Sequence, residues 1–213
     1  EPLKFPAGAL RGTLRQNESM ARHVSWRTGG VAARAYVPAD IADMAAFLGT
    51  LPQGEPVCVV GLGSNLLVRD GGFRGTVVLT HSTHGAIRMD GEAVYADAGA
   101  ASPKVARFAA NQGLEGAEFL AGIPGTVGGA LAMNAGCYGG ETWDIVERVV
   151  TINRRGQLRR RGREEFEYGY RHLELKSDVS GDSDEWFASA HFKLPEGDRE
   201  ESRAIMKALL SKR

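Results

Sequence analysis

The 213-residue chain has few cysteines and no excess of charge of either sign. Its two cysteines, Cys58 and Cys137, are too few for a disulfide framework or a zinc site. Lysines and arginines number 26, and so do the acids, so the overall charge gives no support to binding of nucleic acid or of a membrane surface. We therefore expect a protein of a reducing, cytoplasmic compartment, without a metal site.

The sequence also lacks a long apolar run and a recognisable leader. No stretch approaches the roughly 20 residues needed to span a bilayer, and the first residues show no signal-peptide pattern. With 43% hydrophobic and 24% charged residues, the composition is typical of a globular protein with a core. The length allows one large domain or two small ones.

Glycine, by contrast, is abundant, and one stretch from 122 to 140, "GIPGTVGGALAMNAGCYGG", holds seven of the 28. A flexible linker would be poor in the isoleucine, valine, leucine and methionine that this stretch contains. We interpret its glycines as sites of close backbone approach. The segment from 125 to 134 predicts a loop entering a helix, whose first amides would suit a pyrophosphate. The alternative is a glycine-rich packing segment.

Two further glycine loops precede this one. "VVGLGSNLLV" (59–68) predicts a strand followed by a nest of backbone amides, although a plain strand-turn-strand is an alternative. A Rossmann unit is disfavoured, because Leu66 replaces the third glycine and no helical pattern follows. In "SWRTGGVA" (25–32), Arg27 stands beside a glycine pair, which taken alone is more typical of a surface turn. Together the three loops favour an extended dinucleotide held mainly by backbone amides.

The remaining pattern predicts an α+β protein with much antiparallel sheet. A helix should follow an Asp40 cap, a second should run from a Ser102 cap to Gly113, and a third should start at Asp198. We expect hairpins at Asp90–Gly91 and near Arg155–Gly156, a short strand leading into a turn in "PVCVVGLGSN" (56–65), a strand at 76–79 and a strand in "WFASAHFKL". The last helix should bury Ile205, Leu209 and Leu210. A composition break at 80–85 divides lobes 1–80 and 81–195, followed by a C-terminal helix, 196–213.

Three segments carry a family resemblance: "GLGSNLLVRDGGFRGTVV", "GIPGTVGGALAMNAGCYGGE" and "FEYGYRH". Together they resemble the UDP-N-acetylenolpyruvoylglucosamine reductase family of peptidoglycan precursor synthesis. The resemblance runs from about Asn17 to the end of the chain. It implies the two-lobed FAD-binding fold of the vanillyl-alcohol oxidase and para-cresol methylhydroxylase type.

The resemblance also implies which residues face the cofactor. FAD would be bound non-covalently, although His81 and His84 raise the covalent attachment known in the wider fold. The implied cofactor-binding residues are Arg27, Gly29, Gly30, Gly61, Gly63, Ser64, Asn65, Gly122, Ile123, Pro124, Gly125, Thr126, Gly128, Gly129 and Ala135.

In the family, NADPH reduces the flavin, which then passes hydride to the enolpyruvyl ether of UDP-N-acetylglucosamine enolpyruvate. Tyr170 and Arg171 match the family's Y-R motif, so both are expected at the substrate. Arg171 would be the catalytic cation that stabilises the developing enolate. On its residues alone, Arg171 would be a surface residue.

One departure from the family pattern matters for activity. No serine in the sequence lies in the family's proton-donor segment, and its catalytic glutamate has no counterpart. We therefore expect this chain to be the FAD-binding part without a substrate domain, and inactive alone. The alternative is an FAD-binding module without turnover of its own. The arginines at 154–155 and 159–161 are followed by acids, which favours a solvated hairpin over an anion site.

Overall fold

The computed structural model describes residues 10–81, 85–176 and 184–211. The chain forms two units. Unit 1 comprises residues 1–81, 151–159 and 182–186, and unit 2 comprises 82–150, 160–181 and 187–213. The sequence analysis predicts lobes 1–80 and 81–195 instead, without a return of the chain to the first lobe. Residues 82–84, in the predicted break, and His84 among them, lie outside the described residues.

A four-stranded sheet of order β1-β2-β4-β3 forms the centre of unit 1. Its strands are β1 (Thr13–Ser19), β2 (Val31–Val37), β3 (Val57–Val60) and β4 (Phe73–Leu79). β1 pairs antiparallel with β2, but β4 runs parallel to both β2 and β3. This sheet is therefore mixed, with two parallel pairs beside the antiparallel one. A helix between β2 and β3 provides the crossover that a parallel pair requires.

That crossover helix, α1 (Ile41–Thr50), begins as predicted. The Asp40 carboxylate caps it by accepting a hydrogen bond from the amide of Asp43 at 2.8 Å. Its buried face meets the sheet through residues such as Met44 and Leu48. The separate cluster of buried side chains between the strands is built from Met20, Ala32, Ala35, Val60, Val77 and Leu79.

The second sheet has five strands in the order β10-β9-β13-β6-β5. Its strands are β5 (Ile87–Asp90), β6 (Ala93–Asp97), β9 (Val146–Asn153), β10 (Leu158–Gly162) and β13 (Glu185–Phe192). Two small antiparallel pairs accompany it, β7 (Gly136–Cys137) with β8 (Gly140–Glu141) and β11 (Phe166–Gly169) with β12 (His172–Leu175). The β9 and β10 strands confirm the hairpin predicted near Arg155–Gly156, where Gly156 has φ +72°.

The predicted hairpin of β5 and β6 is present, with a turn one residue later than expected. Asp90 pairs with Ala93, so the two turn residues are Gly91 and Glu92. Gly91 alone has a positive φ, +63°, which glycine adopts without strain.

Four α-helices follow α1 along the described part of the chain: α2 (Ser102–Asn111), α3 (Val127–Ala132), α4 (Thr142–Ile145) and α5 (Arg199–Ser211). Ser102 does not cap α2 as predicted. It lies one residue inside, after an Ala101 cap, and its buried hydroxyl has no hydrogen-bond partner among the described residues. Gly113, with φ +72°, ends the helix as expected.

The last helix buries a different face from the one predicted. Its Asp198 carboxylate accepts from the amide of Glu201 at 2.8 Å, as the capping spacing indicates. However, Met206 and Ser202 are the buried residues, whereas Ile205 and Leu210 are 41% and 47% exposed. Ser202 is buried because its hydroxyl donates to Glu118 Oε1 at 2.6 Å, a long-range bond that apolar periodicity does not reveal.

The arginine-rich hairpin is only partly the solvated surface that its composition favours. Arg161 is 5% exposed and pairs with Glu165 at 2.7 Å. Arg154 pairs with Asp184, also at 2.7 Å. These residues are therefore engaged in the structure of their own units. Among the described residues, no helix has the length and apolar character needed to cross a membrane.

Candidate functional site

The "GLGSN" turn of unit 1 follows directly from the end of β3. Gly63 has φ +60° and is buried; a Cβ there would lie 2.0 Å from the carbonyl oxygen of His23. The amide of Ser25 donates to the carbonyl of Gly63 at 3.1 Å, which joins this turn to the segment before the "RTGG" loop. Gly63 is therefore glycine because protein backbone approaches it.

The "RTGG" loop is held in a similar way. A Cβ on Gly29, which has φ +130°, would lie 2.8 Å from the carbonyl oxygen of Val68, and one on Gly30 would lie 2.2 Å from that of Asp70. The amide of Gly30 donates to Arg69 at 3.0 Å. The structure thus brings both predicted loops of unit 1 together around residues 23–30 and 61–72.

The amides of residues 61–65 are the donors of this loop pair that have no acceptor among the described residues. In the described part of the chain, none of the five donates a hydrogen bond to another protein group, whereas the carbonyl of Gly63 is used. Ser64 and Asn65 add side-chain donors that are partly or fully exposed. Unpaired amides around a residue with positive φ form a concavity suited to anionic oxygens. This donor set fits a pyrophosphate.

Apolar side chains near the same loops remain exposed. Trp26 is 69% exposed, Leu67 66% and Leu62 37%. Arg27 is exposed beside them and has φ +53°, a conformation that a non-glycine residue adopts at a cost of roughly 1–2 kcal/mol. An apolar surface next to anion-binding amides matches the two chemical halves of a dinucleotide, its rings and its phosphates.

The buried acid Glu18 is paired with His23, shortly before the "RTGG" loop. His23 Nε2 lies 2.7 Å from Glu18 Oε1, and Arg15 lies 3.2 Å from the same oxygen. Glu18 is 8% exposed. The hydrogen bond from His23, followed by that from Arg15, outweighs burial and lowers the pKa of Glu18.

The "GIPGT" loop of unit 2 does not have the free helix amides that its sequence predicts. The amide of Val127 donates to Ala100 O and that of Gly128 to Ala98 O, both at 2.8 Å. The amide of Gly129 donates to the Thr126 hydroxyl at 3.4 Å. The first three amides of α3 therefore have acceptors inside the protein.

The glycines of this segment allow protein packing. A Cβ on Gly128 would lie 3.0 Å from the Cβ of Ala98, and one on Gly122 would lie 2.6 Å from the sulfur of Cys137. Gly122, Ile123, Gly125 and Thr126 are buried, whereas Pro124, Gly128, Gly129 and Ala135 keep accessible surface. The accessible set is the one that can touch a ligand, and the buried set shapes the loop.

Arg171 lies at the tip of the β11–β12 hairpin, also in unit 2. The pairing of Gly169 with His172 leaves Tyr170 and Arg171 as the two turn residues. Tyr170 is 83% exposed, and Arg171 has φ +52°. The guanidinium carbon of Arg171 lies 5.7 Å from the Tyr170 ring centroid. Arg171 has no ion-pair partner among the described residues, which leaves its guanidinium available to an anion.

The sequence analysis missed Asn134, which is 2% exposed at the end of α3. Its side chain bonds to Glu141, to the carbonyl of Gly169 and to the amide of Trp143. An asparagine directly after a helix tolerates a positive φ, and Asn134 has φ +40°. That local signal was available in "AMNAG", but the long-range partner was not.

Among the described residues, no cluster of three or more metal-ligating side chains occurs. Comparison with known proteins gives a direct match to a cofactor family. Residues 32–162 match the family model described as an FAD binding domain.

Curated relatives extend this match to nearly the whole chain. The chain is 56% identical to the UDP-N-acetylenolpyruvoylglucosamine reductase of Alkalilimnicola ehrlichii, over 95% of this chain and 66% of that protein. It is 53% identical to that of Nitrosospira multiformis, over 96% and 64%, and 52% identical to that of Thiobacillus denitrificans, over 97% and 67%. The chain thus spans about two thirds of the length of these relatives.

A solved structure agrees with both. The crystal structure of the UDP-N-acetylenolpyruvylglucosamine reductase from Thermus caldophilus superimposes with a TM-score of 0.74 and 28% identity, covering 95% of this chain and 69% of that one. These matches confirm the resemblance and the α+β FAD-binding fold predicted from the sequence. The chain belongs to the UDP-N-acetylenolpyruvoylglucosamine reductase family of flavoprotein oxidoreductases and contains its FAD-binding domain.

Proposed function

We propose that this chain binds FAD non-covalently and forms the flavin-binding part of an NADPH-dependent reductase. Its substrate would be UDP-N-acetylglucosamine enolpyruvate, its product UDP-N-acetylmuramate, and its setting peptidoglycan synthesis in the cytoplasm. The observation that carries the proposal is the identity of 52–56% to curated reductases over 95–97% of the chain. The unpaired amides at 61–65 support it independently of any relative.

In this proposal the residues of unit 1 hold the phosphates. The amides at 61–65 would donate to the pyrophosphate oxygens, and Ser64 and Asn65 would add their side chains. Arg27 supplies a single positive charge beside them. Backbone donors can serve here without lysine, because Gly29, Gly30 and Gly63 let the neighbouring backbone pack closely around the loop.

In unit 2 the accessible residues would face the flavin. Pro124, Gly128, Gly129 and Ala135 carry small or rigid side chains, and a flat ring system requires such a wall. When bound, FAD supplies the exchange of hydride between NADPH and the substrate.

Arg171 would bind the carboxylate of the enolpyruvyl group. A guanidinium presents two parallel donors to a carboxylate, and its charge opposes the negative charge that develops when hydride adds to the vinyl carbon. Tyr170, the neighbouring turn residue, would contact the substrate at the same place. The exposed hairpin tip keeps both side chains open to a substrate.

The first experiment tests cofactor binding. The purified protein is titrated with FAD, and binding is followed by flavin absorbance and by quenching of tryptophan fluorescence, with Trp26 near the predicted phosphate loop. We expect saturable binding and complete release of flavin to the supernatant on acid precipitation. Flavin retained on the precipitated protein would overturn the non-covalent part. Absence of saturable binding would overturn the FAD site.

The second experiment separates the reductase from a flavin-binding module without turnover. Because this chain alone is expected to be inactive, it is extended by the part of a relative that it does not cover. The bound flavin is reduced with dithionite under anaerobic conditions, the enolpyruvyl nucleotide is added, and reoxidation is followed by stopped-flow. Reoxidation that Arg171→Ala slows at least about 100-fold supports the reductase. A flavin that binds but is not reoxidised supports the module.

A further inference from the structure

The end of α3 and the hairpin that carries Arg171 are joined by one buried side chain. Asn134 Nδ2 donates to the carbonyl oxygen of Gly169 at 3.1 Å, and Gly169 is two residues before Arg171. The same nitrogen donates to Glu141 Oε2 at 2.8 Å. The bond to Gly169 spans 35 residues of sequence and is a direct polar link between these two segments.

The amide of Asn134 can point in only one way. Its nitrogen faces two acceptors, and its oxygen accepts from the amide of Trp143 at 3.0 Å. Both donor hydrogens are therefore used, and a flip of the amide would place a donor against a donor. At 2% exposure, water cannot replace these partners.

The backbone of Asn134 has a separate task, which is to end α3. Its amide donates to Leu131 O at 3.2 Å, and that of Ala135 donates to Ala130 O at 2.8 Å. This pair of bonds around a residue with φ +40° is a Schellman ending. Glycine could perform this backbone task, but it has no side chain with which to hold the hairpin.

A second path supports the same hairpin from Trp143. The Trp143 ring stacks on Tyr168, with centroids 5.7 Å apart, and its Nε1 donates to Leu131 O at 2.9 Å. Arg163 Nε donates to the Tyr168 hydroxyl at 2.7 Å. These contacts hold the stem of the hairpin, whereas Asn134 holds the residue next to its turn.

We propose that Asn134 is a positioning residue for Arg171: its amide fixes the Gly169 carbonyl, and thereby the turn from which the guanidinium projects. The inference rests on the proposed function of Arg171. According to this proposal, the position of the guanidinium depends on a hydrogen bond from the end of α3, which we call the tether. A hairpin free of this tether would bind substrate carboxylate in more than one pose, and orientation is a large part of catalysis.

The first test measures the tether itself, by trypsin cleavage between Arg171 and His172. Asn134→Gly keeps the helix ending and deletes the side chain, so we expect cleavage at this bond to be about fivefold faster. Cleavage after Arg155, in a hairpin turn of unit 1, serves as the internal reference and should not change. Thr142→Val is the matched control, because it removes a nearby bond to Ala135 O, of 2.7 Å, that does not reach the hairpin.

A compensated variant separates the tether from general stability. Asn134→Asp keeps the shape and the bond from Trp143 but sets a carboxylate against Glu141 and leaves Gly169 without a donor. Adding Glu141→Gln restores a donor for the aspartate. We expect the double variant to regain thermal stability while cleavage after Arg171 stays fast. Slow cleavage in both Asn134→Gly and the double variant would overturn the proposal.

The functional test is a double-mutant cycle with the reduced, FAD-loaded protein at saturating enolpyruvyl nucleotide. Because this chain alone is expected to be inactive, every variant, and the parent, is extended by the part of a relative that this chain does not cover. We expect Asn134→Gly to slow reoxidation about tenfold at unchanged FAD affinity, and to have no further effect in Arg171→Ala. Additive losses would show that Asn134 does not act through Arg171. If the parent protein binds no flavin or is not reoxidised, the proposed function fails, and the trypsin result still decides whether the tether exists.

Discussion

Glycine serves different purposes in the two units of this protein. In unit 1, Gly29 and Gly63 have positive φ, and a Cβ on either would meet protein backbone. Within the described part of the chain, the amides of 61–65 donate to no protein acceptor. In unit 2, Gly122 and Gly128 lie close to the side chains of Cys137 and Ala98, and the amides of α3 are already used. A high density of glycine thus indicates that other protein atoms pack closely against the backbone. Only the hydrogen bonds show which amides remain available to a ligand.

The largest effect should come from Gly63→Ala. A side chain at φ +60° costs roughly 1–2 kcal/mol, and its Cβ would lie 2.0 Å from the His23 carbonyl oxygen. We expect a loss of at least about 2 kcal/mol in unfolding free energy and of more than about 100-fold in FAD affinity, measured by chemical denaturation and by flavin titration. Gly71→Ala is the matched control, because nothing lies within 4 Å of its Cβ. Equal effects of the two changes would contradict our account of unit 1.

A pair of neighbouring glycines sharpens the comparison in unit 2. Gly128→Val would crowd Ala98 and should cost about 1–3 kcal/mol of stability, so loss of flavin binding there would not by itself locate the cofactor. Gly129→Val meets only the Thr126 hydroxyl, 3.7 Å from its Cβ. We expect the second variant to keep its thermal midpoint within about 3 °C of the parent and to lose at least about tenfold in FAD affinity. Unchanged affinity would remove Gly129 from the site.

The two units should also differ, by a smaller amount, in their response to acid. The lowered pKa of Glu18 stabilises unit 1 above the ordinary value of 4.5, and this stability is lost as pH falls below 4.5 through the folded value. Glu18→Gln lacks that part of the pH dependence, so its unfolding midpoint should vary less with pH in this range. In unit 2, Asp90 also has a lowered pKa, from its bond to His191, but it is half exposed and screened by water. Asp90→Asn should therefore have the smaller effect.

Local chemistry made much of this protein predictable. The capped start of α1, the hairpins around Gly91 and Gly156, and the family membership each depend on residues adjacent in sequence. The parallel pairing of β4 with β2 and β3 does not, because it depends on a crossover whose partner strands are far apart along the chain. The glycines at 61–65 predict a phosphate loop, and the fold adds the observation that, among the described residues, the amides there have no protein acceptor.

The residues whose burial the sequence did not predict are alike in one respect: each has a polar partner far away along the chain. Ser202 is buried by Glu118, and Asn134 is fixed by Gly169, at separations of 84 and 35 residues. Apolar periodicity cannot reveal such pairs, because it indicates which face of a helix is apolar and not which polar atoms will form hydrogen bonds. The hydrogen bonds of the first α3 amides were not predicted for the same reason, since their acceptors at Ala98 and Ala100 belong to another segment.

The repeated return of the chain to unit 1 has a consequence for its synthesis. Residues 151–159 and 182–186 belong to that unit, although its first 81 residues emerge from the ribosome much earlier. At roughly 5–20 residues per second, the early segment waits for several seconds at least before residue 186 is made. During that time β3 and β4 are complete while Arg154, which donates to the Glu55 carbonyl, does not yet exist. Unit 1 is thus completed only after most of unit 2 has been translated.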